Sequence, residues 1–169
     1  MNLIFPSEYP LICLACMIIC LECYFIGMKV VSLRFKYFDK DFMAQFKAEH
    51  AKAFPGEEPQ VGGWPDFGDG RYSEKLTYKQ WHDFNTSVRA HYNIMEQLPM
   101  TLIFILLGGL VAPTYALPIS YLHAFGRIVY AVGYSVYGAK ARMVGQAIGV
   151  WPLYFLGCVT TYRLCACIM

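Results

Sequence analysis

The chain has 169 residues, of which 57% are hydrophobic and 15% charged, and its formal net charge is +2. So little charge, with a positive mean hydropathy, excludes an ordinary soluble domain and points to a membrane protein. The small net charge, with no basic cluster interleaved with aromatics, leaves no footing for a nucleic-acid partner.

The first element is apolar from Pro10 to Met28 except for Glu22, and it is long enough to cross a bilayer. It lacks a basic leading region and a small-residue cleavage site, so it reads as a retained span over about residues 10–31. Cys13, Cys16, Cys20 and Cys23 recur every three or four residues, which puts them on one helix face. One face of one helix does not converge on a metal. The stripe, continued by Gly27, reads as small residues that let another helix approach. With Cys158, Cys165 and Cys167 the cysteines number seven, and their spacing gives no disulfide framework. Glu22 has two readings: a partner for a polar group on the second span, or a residue at a subunit interface.

Composition then shifts. Residues 34–80 hold eight acidic and eight basic side chains and the stretch PGEEPQVGGWPDFGDG at 55–70. This is a long hydrophilic loop, of a length that usually folds on itself or serves a function. Trp64, Phe67 and Tyr72 suggest that it packs onto something, and it is a candidate surface for docking onto a larger membrane complex. Tyr78 and Trp81 fall where an interfacial aromatic belt is expected.

The next apolar run, Leu98 to Ala112, reaches only about 22 Å as a helix, short of a hydrocarbon core of about 30 Å. The second span therefore begins earlier, over about 82–111, and the polar segment 84–97 is its first half. Pro113 and Pro118 bracket a tight turn. A third span is expected over about 117–139, carrying His123 and Arg127, and a fourth over about 143–163, with Pro152 inside it. The fold class is all-α: an integral membrane four-helix up-and-down bundle, forming one domain over residues 1–169. Nearly all lysine and arginine outside the spans lies in the 34–80 loop and at Lys140 and Arg142, so both of those connections should face the cytosol.

Asn85, Arg89, Asn93 and Glu96 are spaced four, four and three, one continuous helix face. Unpaired polar groups are costly in lipid, so this face must look at another helix or a hydrated cleft. The third span offers a counterpart in Arg127, Tyr130, Tyr134 and Tyr137. A guanidinium and three phenols would suit an anionic ligand near the cytosolic end. The alternative is that these groups only bond one another, with Arg89 and Glu96 as a structural pair. His91 lies off the stripe and is expected to partner a backbone group or a neighbouring subunit rather than to catalyse.

RAHYNIMEQLP (89–99) resembles the R-A-x-x-N-x-x-E-x-x-P signature of the MAPEG family, the membrane-associated proteins of eicosanoid and glutathione metabolism. GRIVYAVGY (126–134) resembles its third-helix motif, and Phe84-Asn85 with the R-A-H form is most similar to the type-three microsomal glutathione transferases. The similarity covers the second to fourth spans well and the first loosely, through LECYF and VVSLR. The resemblance implies a homotrimer in the endoplasmic reticulum membrane, with a mitochondrial membrane as the alternative. It implies glutathione as co-substrate in a cleft between subunits, and a lipophilic second substrate arriving from the membrane lipids. By matching positions, Arg89, Asn93 and Glu96 would bind glutathione, with Tyr130 and Tyr134 contacting it. Arg34, or Lys36, would hold a carboxylate. The thiol-activating arginine would be Arg142, with Lys140 second. Counted from the tyrosine pair as in the leukotriene C synthase branch, that arginine's position falls on Ala141, one residue earlier. The expected activity is transfer of glutathione to lipophilic electrophiles or reduction of lipid hydroperoxides. The alternatives are a non-catalytic lipid-binding member and a structural subunit of a larger assembly. No metal is expected.

Overall fold

The computed structural model describes residues 5–168, and every regular element among them is helical. Helix α1 (Tyr9–Tyr37) starts with Pro10 in its first turn, where a missing N–H costs nothing. Its buried face is Ile12, Ala15, Cys16, Ile19 and Cys23, while Leu14, Met17, Leu21, Tyr24, Phe25 and Met28 point outward. A helix apolar on all sides suits lipid on one flank and helices on the other. Of the cysteine stripe, Cys16 and Cys23 are buried and Cys13 and Cys20 half-buried, and all seven cysteines are free thiols.

The segment expected to be a loop from residue 34 is partly helical. Helix α1 runs on to Tyr37, and α2 (Lys40–Ala44) and α3 (Lys47–Ala53) follow. Asp39 caps α2, accepting the Phe42 N–H at 2.8 Å. Phe38, Met43, Phe46, Leu76, Phe84 and Val88 then form a core of their own, in which the Phe38 and Phe84 rings meet edge-on at 5.3 Å. This second core fastens residues 38–76 as a cap over the ends of α1 and α4.

Helix α4 (Tyr78–Val111) opens with a capping box: Thr77 and Gln80 satisfy each other's backbone N–H groups. Its 34 residues extend about 51 Å, well beyond the hydrocarbon core, so its first turns lie under the cap. One residue, Ala112, separates α4 from α5 (Pro113–Val132). The turn is thus tighter than expected: Pro113 begins the helix and Pro118 lies inside it. A π-helical turn (Gly133–Tyr137) follows, and α6 (Arg142–Ala166) completes the chain.

Three helices, α1, α4 and α6, are long and apolar enough to cross a membrane. Helix α5, with 20 residues, is long enough, but it carries Ser120, His123 and Arg127, and this polarity keeps the expected third span from being among them. It packs most extensively on α6 and also on α1 and α4. Ile12 and Ile19 of α1, Ile105 of α4, Ala116 and Ala124 of α5, and Leu153 and Leu156 of α6 share one apolar core. His123 Nδ1 lies 3.0 Å from the Gly149 carbonyl, so that nitrogen carries the proton and ties α5 to α6. Arg163 donates to the Val111 carbonyl at 2.8 Å and closes the end of α4.

Candidate functional site

Helical spacing on α4 brings Arg89, Tyr92, Asn93 and Glu96 to one edge. The end of α5 adds Tyr130, the π-turn adds Tyr134, and the first residue of α6 adds Arg142. These seven side chains line one polar pocket of about 110 Å³. Tyr130 and Tyr134 stand edge-on with centroids 6.0 Å apart, and the Arg142 guanidinium lies 4.9 Å from the Tyr134 ring centroid. Six of the residues expected from the sequence therefore share this pocket. Arg142, although it stands one residue late, lines the pocket from the first residue of α6, after the π-helical turn and the short 138–141 connection. Lys140 does not line the pocket. Tyr92 was not foreseen, although its position three residues after Arg89 carried the signal.

The neighbours of the pocket depart from the expected stripe. Arg127 is buried, donating from Nη2 to Asn93 Oδ1 at 3.0 Å and from Nη1 to Gln97 Oε1 at 3.4 Å. It supports the pocket from behind instead of facing a ligand. Tyr137 is 77% exposed and stands outside it. No ion pair joins Arg89 to Glu96 among the described residues, so the two are not spent on each other. Asn85 turns to the cap: its amide N–H donates to the Gly68 carbonyl at 2.8 Å, as Trp81 Nε1 does at 3.1 Å. Glu22 Oε2 is buried without a hydrogen-bond partner among the described residues.

Arg34 is placed away from the pocket. It is 1% exposed, donates to the carbonyls of Gly62 (3.1 Å), Gly63 (3.5 Å) and Asp66, and lies 3.9 Å from the Trp64 ring centroid. In this chain it anchors the cap. Lys36 lies over the Tyr37 ring at 5.2 Å and likewise does not line the pocket. The cap has a second hub in Asp66, whose carboxylate accepts from the N–H groups of Gly68, Gly70 and Ser73 and from the Ser73 hydroxyl. Burial alone would raise the Asp66 pKa, but those four hydrogen bonds outweigh it and hold it below the ordinary carboxylate value.

On the other side of Tyr92 lies an apolar groove of about 320 Å³ between α1, α4 and the cap. Gly27, Val31, Trp64, Phe67, His91 and Met95 contribute to it. His91 fits there because Gly27 has no side chain: a Cβ on Gly27 would come within 2.8 Å of His91 Nε2. The groove is positioned to take apolar matter, and the pocket to take a zwitterionic or anionic group.

The model of the MAPEG family matches residues 12–162, from the first turns of α1 to the last turns of α6, with the cap and the pocket inside the match. The chain belongs to the MAPEG family. This family includes glutathione transferases and peroxidases. Membership, with three long apolar helices, makes the chain an integral membrane protein. In this MAPEG member the polar pocket is built where the two family-like motifs, 89–99 and 126–134, meet.

Proposed function

We propose that the protein is a membrane-bound glutathione transferase with hydroperoxide-reducing capacity, of the type-three microsomal branch. The observation that carries this reading is the pocket's charge pattern: guanidinium groups from Arg89 and Arg142, one carboxylate from Glu96, one amide and three phenols. Glutathione bears two carboxylates, one ammonium and a thiol. A guanidinium forks onto a carboxylate, and Glu96 meets the ammonium. A free thiol, with a pKa of about 8.5, holds little thiolate at neutral pH. The charge of Arg142 favours the thiolate, which is the nucleophile.

The thiolate sulfur bonds to the electrophilic carbon of a lipophilic substrate, and the leaving group departs or a proton is taken up. With a hydroperoxide it attacks the terminal oxygen. The O–O bond breaks, alcohol leaves, and a second glutathione converts the sulfenic acid to a disulfide with loss of water. The pocket, about 110 Å³, is smaller than the ~300–1,000 Å³ that encloses a small ligand. We therefore favour closure by a neighbouring subunit in a homotrimer. Resemblance favours the endoplasmic reticulum membrane over the mitochondrial one, and fractionation of cells decides between them.

The test is transfer of glutathione to a chloronitrobenzene and reduction of an organic hydroperoxide by the detergent-purified protein. Activity that Arg142→Ala removes supports the reading, and wild type inactive in both assays contradicts it. The apolar groove favours a second reading, a non-catalytic lipid-binding member. That reading predicts retained lipid with no glutathione turnover.

A further inference from the structure

We propose that Arg127 is a positioning residue: it fixes the amide of Asn93 so that the pocket presents a hydrogen-bond donor there and selects an acceptor oxygen on the ligand. The identity of the ligand rests on the glutathione reading above, whereas the orientation of the amide does not.

The Arg127 guanidinium is 2% exposed and sits between α4 and α5. Nη2 lies 3.0 Å from Asn93 Oδ1, and Nη1 lies 3.4 Å from Gln97 Oε1. Its plane is further held by the Tyr130 ring, 4.8 Å from the guanidinium carbon. A guanidinium has five donors and no acceptor. Both amides must therefore turn their oxygens toward it, which removes the ambiguity that normally attends an amide's two ends. With Oδ1 committed behind the pocket, the Asn93 group left for a ligand is Nδ2, a donor.

The electrostatics act in the same direction. Its two amide partners are neutral, and the one carboxylate close enough to act on it, the buried Glu22 of α1, offsets part of its charge but forms no ion pair with it. A permanently charged cation thus stands one residue behind the pocket wall. Its field favours oxygen, carboxylate before carbonyl, at the position Asn93 reads, and disfavours an ammonium there. Glu96, one helical turn on, is the complementary group for the ammonium. The pair Asn93–Arg127 and the residue Glu96 thereby set the direction in which a zwitterion lies along α4.

The decisive variant is Asn93→Asp. It keeps the shape and keeps an oxygen on Arg127, but replaces the donor with a second oxygen. The thermal midpoint of the detergent-purified protein should equal or exceed that of wild type, because a hydrogen bond becomes an ion pair. The glutathione Kd measured by calorimetry should rise about ten- to a hundredfold. Arg127→Gln, which offers an acceptor as well as donors and so releases the amide, should weaken binding by about tenfold, and Arg127→Lys should recover part of that loss. Wild-type affinity in Asn93→Asp, or a midpoint well below wild type, overturns the proposal. If wild type binds no glutathione, the proposed function falls instead, and the midpoint of Asn93→Asp still decides how the amide lies.

Discussion

Arg34 and Arg142 carry the same charge and reach opposite ends. Arg34 is enclosed by three backbone carbonyls and the Trp64 ring, whereas Arg142 leaves its guanidinium at the open pocket beside Tyr134. Removing Arg142 should therefore change chemistry and not folding. We predict that Arg142→Ala lowers glutathione conjugation at neutral pH by roughly ten- to a hundredfold and moves the alkaline rise of the pH–rate profile upward, each unit being worth about tenfold. A stopped assay across pH reads this directly. Arg34→Ala should do the reverse, destabilising the cap by roughly 2–4 kcal/mol through its stranded carbonyls. A melt followed by Trp64 fluorescence measures it. The depressed Asp66 carboxyl stabilises the folded cap above its ordinary pKa of about 3.9. That contribution is lost as pH falls from there through the lower folded value. Acid titration of wild type should show the cap loosening in that window, and Asp66→Asn should be weaker and flat across it. The sequence carried Arg89, Asn93 and Glu96 because helical spacing places side chains on a shared face. It did not carry Arg34 or Asn85, whose partners lie 17 to 32 residues away in a loop with no periodicity.

Among the elements, the α5–α6 pair is the closest. A Cβ on Gly126 would fall 2.5 Å from the Gly149 N and 2.6 Å from its Cα. Both are backbone atoms that cannot rotate away, so the two helices would have to separate. We predict that Gly126→Ala lowers stability by about 1–3 kcal/mol or more, seen as a lower melting midpoint in detergent. Ile128→Ala on the outward face of the same helix should leave it nearly unchanged. The existence of the long helices was legible from their apolar runs. Their ends were less so: Pro113 starts a helix as readily as it ends one, α2 hides in charged composition because its packing runs through Met43 against Phe38, Phe46 and Phe84, and α3 buries none of its residues. The π-turn at 133–137, which carries Tyr134, left no mark in residue spacing.

At the scale of the whole molecule, the outward faces of α1, α5 and α6 are apolar, with Leu14, Phe25, Ile128, Trp151 and Phe155 exposed. Such a surface is stable against lipid and not against water. The pocket opens at the edge of a single chain, with Arg89 and Glu96 exposed, and a homotrimer would cover it. The mass of the detergent-solubilised protein, corrected for bound detergent, should correspond to three chains, and a monomer would remove the closure proposed for the pocket. The glutathione site proposed above is built by α4 and the start of α6. Calorimetric titration of glutathione into wild type and Arg89→Ala tests it most directly. Wild type should bind saturably, and Arg89→Ala should abolish that binding or weaken it by at least about tenfold. Equal binding by both proteins, or none by wild type, would contradict it.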